Sequence, residues 1–484
     1  MIQDTGLGQE MFISAYQKLD SNGDLRLHCY RYTDEPLDEE INEQQAMQNE
    51  HLSERTLVYC VSPPGENHWA KEAHNAHAGS LSDQINRLDI KEPNQTIMKK
   101  YPLPGQDHVS AVVKFYNDSA ETIKVGQLVE IIGIRAYDFQ PQESDFDSPL
   151  DSFSNVPVIH AIGFQRLDAI DSSPFAESSA LEQAHDIRAQ LINYIASVLG
   201  GDRLTAEFIL LQLLSRITVK NRGLKIGNFT LNISGCPSHQ TTEQEKKAPV
   251  LTLNNPLSKS LAHVLDSLTV HSVHLPLTID GLNKSQFMPK SVNENLEAGV
   301  LQLVDGTCLL VDETVLDEGQ LVDSGVRNFQ ALQNVIQHQT LAYEFPYSQY
   351  DFDTDISVLV LSCSKSMFPN HCSIRLQSTG SMDVETNVPS KETLDRFRRY
   401  VHSAKFNTYD ISDQVSEYIQ ISFVNERKTA IENGTEPPTQ EELMLRMNLA
   451  RLAAASFGET CLTQQRYDYV VQLDKSRKAR LSAA

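Results

Sequence analysis

The sequence predicts an α/β protein with a smaller β-rich region in front of it and a helical region behind. Three observations carry this. Strand candidates at residues 229–233, 307–311 and 356–361 are apolar on both faces and separated by helical stretches, the pattern of a buried, largely parallel sheet. Residues before about 136 instead form short strand-like runs with Gly or Asn-Gly at the corners. Beyond about 390 the chain carries helix caps and stops in succession.

Taken in order, Leu25–Tyr30 follows Asp20-Ser21-Asn22-Gly23-Asp24, and the Asn-Gly pair predicts a hairpin. Asp20, Asn22 and Asp24 alternate oxygens as a calcium loop does, but Leu25 stands where that loop needs Gly, so the hairpin is preferred. Residues 34–56 are acidic and Gln-rich and are expected to form a solvated insertion. A strand at Leu57–Val61 stops at Pro63-Pro64-Gly65, the only Trp follows at Trp69, and 74–98 are expected to be polar and flexible. Strands at 111–116 and 125–134 suggest a small, OB-like barrel over 99–136 that continues the 1–98 region. A single-strand-binding barrel wants a basic groove with stacking aromatics, and here Lys99, Lys100, Lys114, Phe115, Tyr116 and Lys124 are the candidates. So few favour a structural or protein-docking barrel. Residues 137–180 are expected to be an acidic linker, densest in acid over 137–155, and to mark the main boundary.

Beyond it, over 181–390, Ile187, Leu191, Tyr194, Ile195 and Val198 fall at helical spacing, and Asp202 is placed to cap a second helix carrying Leu204, Phe208, Leu211 and Leu214. In the helical region, 391–484, Thr439-Gln440-Glu441-Glu442 is a capping box and Gly458 a stop. A last helix starts near Thr463 and ends in Lys475, Arg477, Lys478 and Arg480.

Composition restricts the function. The 484 residues suit roughly three domains. Against 64 Asp+Glu stand 41 Lys+Arg, and a formal charge of -23 repels polyphosphate and favours protein partners over nucleic acid. No apolar run approaches the ~20 residues of a spanning helix, and no basic-then-apolar leader opens the chain, so a soluble intracellular protein is expected. Seven scattered Cys without a CxxC pair make neither a disulfide framework nor a zinc site, and are expected to be reduced and mostly buried. His271 and His274 alternate with apolar residues on a strand that Pro276 marks as an edge, and are read as structural rather than metal ligands.

The sharpest chemical motif is Thr307-Cys308-Leu309-Leu310-Val311-Asp312-Glu313, an apolar strand ending in two carboxylates. Nucleoside triphosphatases use such a pair to hold magnesium and to orient the attacking water, the Walker B arrangement. Its partner should be a strand running into a Gly-rich loop with Lys. The strand before Gly235-Cys236-Pro237-Ser238-His239-Gln240-Thr241-Thr242 is in place, but Ser238 stands for a Gly and Thr241 for the Lys. Without that cation, Asp312 and Glu313 are expected to be a remnant, with Gly235, Cys236, Pro237, Thr241 and Thr242 at a degenerate phosphate-loop position. No catalytic residue, cofactor or metal is expected.

At this point the residues resemble a known family. Residues 299–313 with Ala331–Thr340 are similar to the Walker B region of minichromosome maintenance (MCM) helicase subunits. On that comparison His371 takes the place of their arginine finger, Ser362–Ser364 lie near their polar sensor, and the 391–473 helices resemble their lid. The fold implied is a degenerate AAA+/MCM-like ATPase domain. The whole chain looks closer still to the MCM complex-binding protein family. The segments that carry this are Met1-Ile2-Gln3-Asp4, Tyr59-Cys60-Val61, Pro64-Gly65-Glu66, Trp69-Ala70-Lys71-Glu72, Pro102-Leu103-Pro104-Gly105, Leu231–Pro237, Val311–Thr314 and Glu318–Leu321. The family usually has a further segment before Met-Ile-Gln-Asp, which implies either a chain without it or an incomplete sequence.

The resemblance implies a nuclear, non-catalytic protein that binds MCM helicase subunits in an alternative complex in place of one of them. It implies roles in their stability and assembly, in helicase release from chromatin during replication and in sister-chromatid cohesion. Chromatin association would be indirect, with no membrane partner and no direct sequence-specific nucleic-acid binding. Two alternatives stay open: a divergent ATPase or helicase subunit using Asp312 and Glu313, and a single-strand nucleic-acid binder acting through the barrel.

Overall fold

A computed structural model describes residues 1–19, 23–35, 52–78, 95–116, 122–136, 153, 156–170, 173–175, 181–221, 224–239, 251–293, 295–378 and 388–482. The front of the chain supplies β1 (Ile2–Asp4), β2 (Gln9–Ile13), β3 (Ala15–Leu19), β4 (Leu25–Cys29), β5 (Leu52–Val61), β6 (Ser110–Phe115), β7 (Leu128–Ala136) and β8 (Val158–Leu167). Strands β3 and β4 pair as the hairpin that Asn-Gly predicts, although Asp20–Asn22 lie outside the described residues. The remaining strands run in the order β1-β5-β6-β8-β7, with β2 also on β5. This sheet curls until its ends meet, because Ile2 N donates to Gln127 O (2.9 Å) and Gly126 N to Ile2 O (2.8 Å). Ile2, Val58, Val113, Phe115, Ile123 and Ala161 fill its interior.

Three expectations change here. Residues 158–167, assigned above to the linker, form β8 between β6 and β7, because Val158 and Ala161 are needed in buried positions. The 52–56 end of the supposed insertion is the front half of β5, paired with β2. Helix α1 (His68–Ala78) takes in the start of the segment expected to be flexible, and a short α2 (Gln95–Met98) takes in its end.

The α/β part opens with α3 (Ala184–Val198) and α4 (Arg203–Leu213), the second capped by the Asp202 carboxylate on Thr205 N as its sequence predicts. A small hairpin, β9 (Val219–Asn221) with β10 (Leu224–Ile226), precedes β11 (Leu231–Ser234), α5 (Pro256–Leu268), β12 (Ser272–Pro276) and α6 (Ile279–Lys284). Then come β13 (Lys290–Val292), β14 (Asn295–Glu297), β15 (Cys308–Asp312), α7 (Asp323–His338), β16 (Thr340–Phe345), β17 (Ser348–Asp353), β18 (Ser357–Leu361) and β19 (Cys372–Arg375). The helical region is α8 (Lys391–Lys405), α9 (Asp413–Glu432), α10 (Gln440–Ser456) and α11 (Gln464–Ser482), and the Thr439/Glu442 capping box is formed.

Five strands make the central sheet in the order β12-β15-β18-β11-β19, every pair parallel. Its both-faces-apolar sequence now has a cause. Cys308 and Leu310 of β15 and Leu359 and Leu361 of β18 face a core shared with α3, α4, α5 and the C-terminal helices. The alternate residues, Leu309, Val311, Val358 and Val360, face a second core with α7 and with Met1, Tyr59 and Val112 of the curled sheet. Thus the central sheet is covered on both faces, and the curled sheet packs on one of them.

The seam between the two sheets is polar and specific. Lys100 Nζ lies 2.5 Å from Asp4 Oδ2, which also accepts from Leu296 N (3.1 Å), with both side chains buried. Gln3 Nε2 donates to Leu296 O (2.9 Å), and Gln302 Nε2 returns a bond to Gln3 O (3.2 Å). The edge of β12 is covered by the turn after Pro64: Ser272 N donates to Gly65 O (2.8 Å) and Asn67 N to Val270 O (2.9 Å). Gly65 has φ +71° and a Cβ there would sit 2.4 Å from Ser272 O, so only glycine fits. Trp69 Nε1 donates to Asp266 O (2.9 Å) at the end of α5, and the Arg398 guanidinium of α8 lies 4.1 Å from its ring.

Candidate functional site

In a parallel sheet all strands end on one edge, and ligands bind where the chain leaves neighbouring strands in opposite directions. Here the chain leaves β11 for β12 at the far side of the sheet, and leaves β18 for β19 across β11. The crevice beyond the ends of β11 and β18 is therefore the candidate site. It gathers Gly235-Cys236-Pro237 after β11, Asp312 and Glu313 at the end of β15, and Ser362–Ser364 after β18. Thr241 and Thr242 lie outside the described residues.

The pieces are joined to one another. Cys236 N donates to Ser362 O (3.1 Å) and Glu313 N to Leu361 O (2.9 Å). Asn255, the cap of α5, holds Leu257 N on its Oδ1 (3.0 Å) and donates from Nδ2 to Pro237 O (2.9 Å) and Thr314 Oγ1 (2.7 Å). His239 N donates to Thr314 O (3.2 Å). A single amide side chain and one threonine thus tie the loop after β11 to the acidic strand end.

Both acids are engaged locally. Asp312 is wholly buried; its Oδ1 accepts from Thr314 N (2.9 Å) and Thr314 Oγ1 (2.5 Å), and its Oδ2 has no hydrogen-bond partner. Glu313 accepts from the Ser366 hydroxyl on Oε1 (2.7 Å) and from Met367 N on Oε2 (3.1 Å). Burial raises its pKa against those two bonds. Glu313 thus pins the loop that carries Ser366 and Met367. Burial also pushes the Cys236 thiol up to about 12, which keeps it protonated and unreactive. Gly235, at φ +75°, is packed by the side chain of Arg375, whose Cγ would stand 3.3 Å from a Cβ.

The other predicted residues scatter. His371 lies just before β19, where the strands begin, with Nδ1 2.8 Å from the Thr230 hydroxyl and its backbone N donating to that same oxygen (3.0 Å). Ser362 Oγ donates to Asn232 Oδ1 and to Ser364 O, 2.9 Å each. Lys99 pairs with Glu297, Lys100 with Asp4, and Lys114 with Glu10 and Asp34, while Phe115 belongs to the curled sheet's interior. These three cations are thus committed to ion pairs and this ring to the interior, whereas Lys124 lines a cavity with Arg166, Arg216 and Lys220. His271 and His274 lie at an edge strand as expected, and among the described residues no group of three or more His, Cys, Asp or Glu side chains could hold a metal ion. Of the seven free thiols, Cys236, Cys308 and Cys372 are buried, fewer than expected, because Cys29, Cys363 and Cys461 sit on the surface. Among the described residues no helix is long and apolar enough to cross a membrane.

Asn255, Thr314, Ser366 and Arg375 were not singled out by the sequence. Asn255-Pro256 does carry a helix-start signal, Asn at the cap and Pro at the first position. Nothing local marks Ser366, whose partner is 53 positions away.

The pattern of the mini-chromosome maintenance replisome factor family matches residues 1–96 and 80–481. The chain belongs to this family. Its relatives include mini-chromosome maintenance complex-binding proteins of Gallus gallus and Homo sapiens, each 28% identical and aligned over 99% of this chain and 87% of the relative. A protein of the same name from Arabidopsis thaliana is 26% identical, with the same two coverages.

Proposed function

We propose that this chain is a non-catalytic partner of MCM helicase subunits. One observation carries the reading: family membership extends along the chain, while the crevice that would run catalysis has its Glu313 bonded through both oxygens to Ser366 and Met367. The α/β part is read as a degenerate AAA+/MCM-like ATPase domain, 181–390, with 391–484 as its lid, and the curled sheet as an OB-like module. Support comes from the strand order, from Gly235 following β11, and from the acid pair ending β15. In this reading the chain occupies the place of one subunit in an alternative complex. It keeps helicase subunits stable and assembled, supports their release from chromatin during replication, and contributes to sister-chromatid cohesion. It works in the nucleus and reaches chromatin through those subunits.

The test is recovery of the tagged, full chain from nuclear extract, with the co-purifying subunits identified and counted. MCM subunits are expected in fixed proportion; their absence overturns the proposal. A magnesium-dependent ATP hydrolysis assay separates the enzyme alternative. Parent and Glu313→Gln should give the same background, and a drop in the variant would establish catalysis by this pair.

A further inference from the structure

Helix α9 is 20 residues long but buries only Val415 and Ile419, both in its first half. Two side-chain contacts show which side faces the molecule. Tyr418 OH donates to Asp468 Oδ1 of α11 (2.8 Å), and the Glu426 carboxylate accepts from the Arg446 guanidinium of α10. At 3.6 residues per turn, Val415, Ile419, Ser422 and Glu426 share that side. The opposite side carries Glu417, Ile421, Val424, Lys428 and Ile431, which fall within about 80° of one another round the helix. Ile421, Val424 and Ile431 are 54%, 48% and 65% exposed, and Glu417 and Lys428 are exposed as well.

A stripe of branched apolar side chains on the outer side of a helix is a face by which helices pair. The placing of its charges says what fits it. Ile421 and Val424 stand on either side of the midpoint between positions 422 and 423, and Glu417 and Lys428 are equally far from that midpoint. At 1.5 Å per residue each lies about 8 Å from it along the axis. A second α9 laid antiparallel, about a two-fold axis through the midpoint, sets Ile421 against Val424 and Glu417 against Lys428, twice over. This is the self-complementarity that an isologous interface requires. A parallel arrangement would set Glu417 on Glu417 and Lys428 on Lys428, which repel. Asp413 and Glu432 come level in the antiparallel register but lie on opposite flanks of the stripe, about 100° apart round the helix. The net charge of -23 drives two copies apart at long range, yet that field is screened beyond about 8 Å at physiological ionic strength, whereas the paired charges meet at contact.

We propose that the outer face of α9 is the contact by which two copies of this chain pair, antiparallel and across a two-fold axis. One pair of helices is a small interface, so the dimer is weak and forms in the micromolar range. It uses none of the crevice residues and is independent of the helicase reading.

Sedimentation equilibrium of the full chain at physiological salt, over a series reaching high micromolar concentration, tests it. The parent should dimerise reversibly, and Ile421→Asp should weaken the dimer at least about tenfold. Glu417→Lys and Lys428→Glu should each weaken it about fivefold, since every pair occurs twice and becomes a repulsion. An equimolar mixture of those two variants should associate as the parent does, and so should the double variant Glu417→Lys with Lys428→Glu. A parent that stays monomeric, a dimer indifferent to Ile421→Asp, or charge variants that fail to weaken alone or to recover together overturns the proposal. If the parent is monomeric while Ile421→Asp lowers recovery of another protein from extract, the face belongs to that protein and self-pairing is overturned. All these positions are exposed, and circular dichroism reports whether each variant is folded. Where Ile421→Asp is not, the charge variants alone decide.

Discussion

Removing Asp4 should separate the curled sheet from the central sheet. Lys100 and Asp4 are 1% and 3% exposed and 2.5 Å apart, so each is the other's counter-charge in a dry seam. Burial pulls the Lys100 ammonium below its ordinary pKa, and Asp4 is what opposes that pull. In Asp4→Ala the ammonium keeps Leu296 O at 3.4 Å, the faces of Tyr59 and Phe153, 5.1 and 5.3 Å from the ring centres, and the more distant charge of Glu297. Removing one partner of a buried pair costs about 3–5 kcal/mol. Leu296 N and Gly6 N also lose their acceptor, which keeps the expectation at the upper end of that range. Urea unfolding followed by fluorescence measures it, and Asp4→Leu with Lys100→Met should cost less than the two single changes summed. A loss below about 1 kcal/mol for Asp4→Ala would refute the reasoning, since it would mean that water reaches the ammonium and the seam is not dry.

Two further perturbations follow from the same contacts. His271 is buried next to β12 and its pKa is pushed down to about 3, so it stays neutral in the fold while its unfolded form takes up a proton near 6.5. Its contribution is complete above 6.5 and is lost as pH falls, so the parent should lose about 2 kcal/mol more than His271→Phe between pH 7 and pH 5, read from denaturant midpoints. Asn255→Ala removes the α5 cap and both bonds across the crevice and should cost about 2 kcal/mol by the same assay, leaving recovery of helicase subunits unchanged.

The parts of the fold that could be read from the sequence are those decided by local chemistry. Asp202 caps α4 and Thr439 with Glu442 boxes α10 because a cap needs only its own first turn. The strands at β15 and β18 were legible because two cores, one on each face, require unbroken apolar residues. Strand β8 was not, since His160, Gln165 and Arg166 break its pattern and acidic sequence precedes it. Lys100 and Lys114 read as surface cations, but their partners, Asp4 and Asp34, come from 96 and 80 positions away. The site divides in the same way. Asp312 and Glu313 announce themselves at a strand end, whereas Asn255 and Ser366, which occupy the oxygens around them, become visible only once distant segments meet.

Strand β1 has a consequence for how the molecule is made. It is only three residues long, yet it touches β5, the turn at 126–127 and, through Gln3 and Asp4, Leu296 and Gln302. During synthesis this strand is made well before its partners, which lie nearly three hundred positions downstream. Such long loop closures slow folding, and until they form, the apolar residues on the outside of the curled sheet stay open to misassociation. The protein's own biogenesis should therefore be sensitive to interruptions after the curled sheet, since a chain stopped before about residue 300 has a first strand with half of its seam missing.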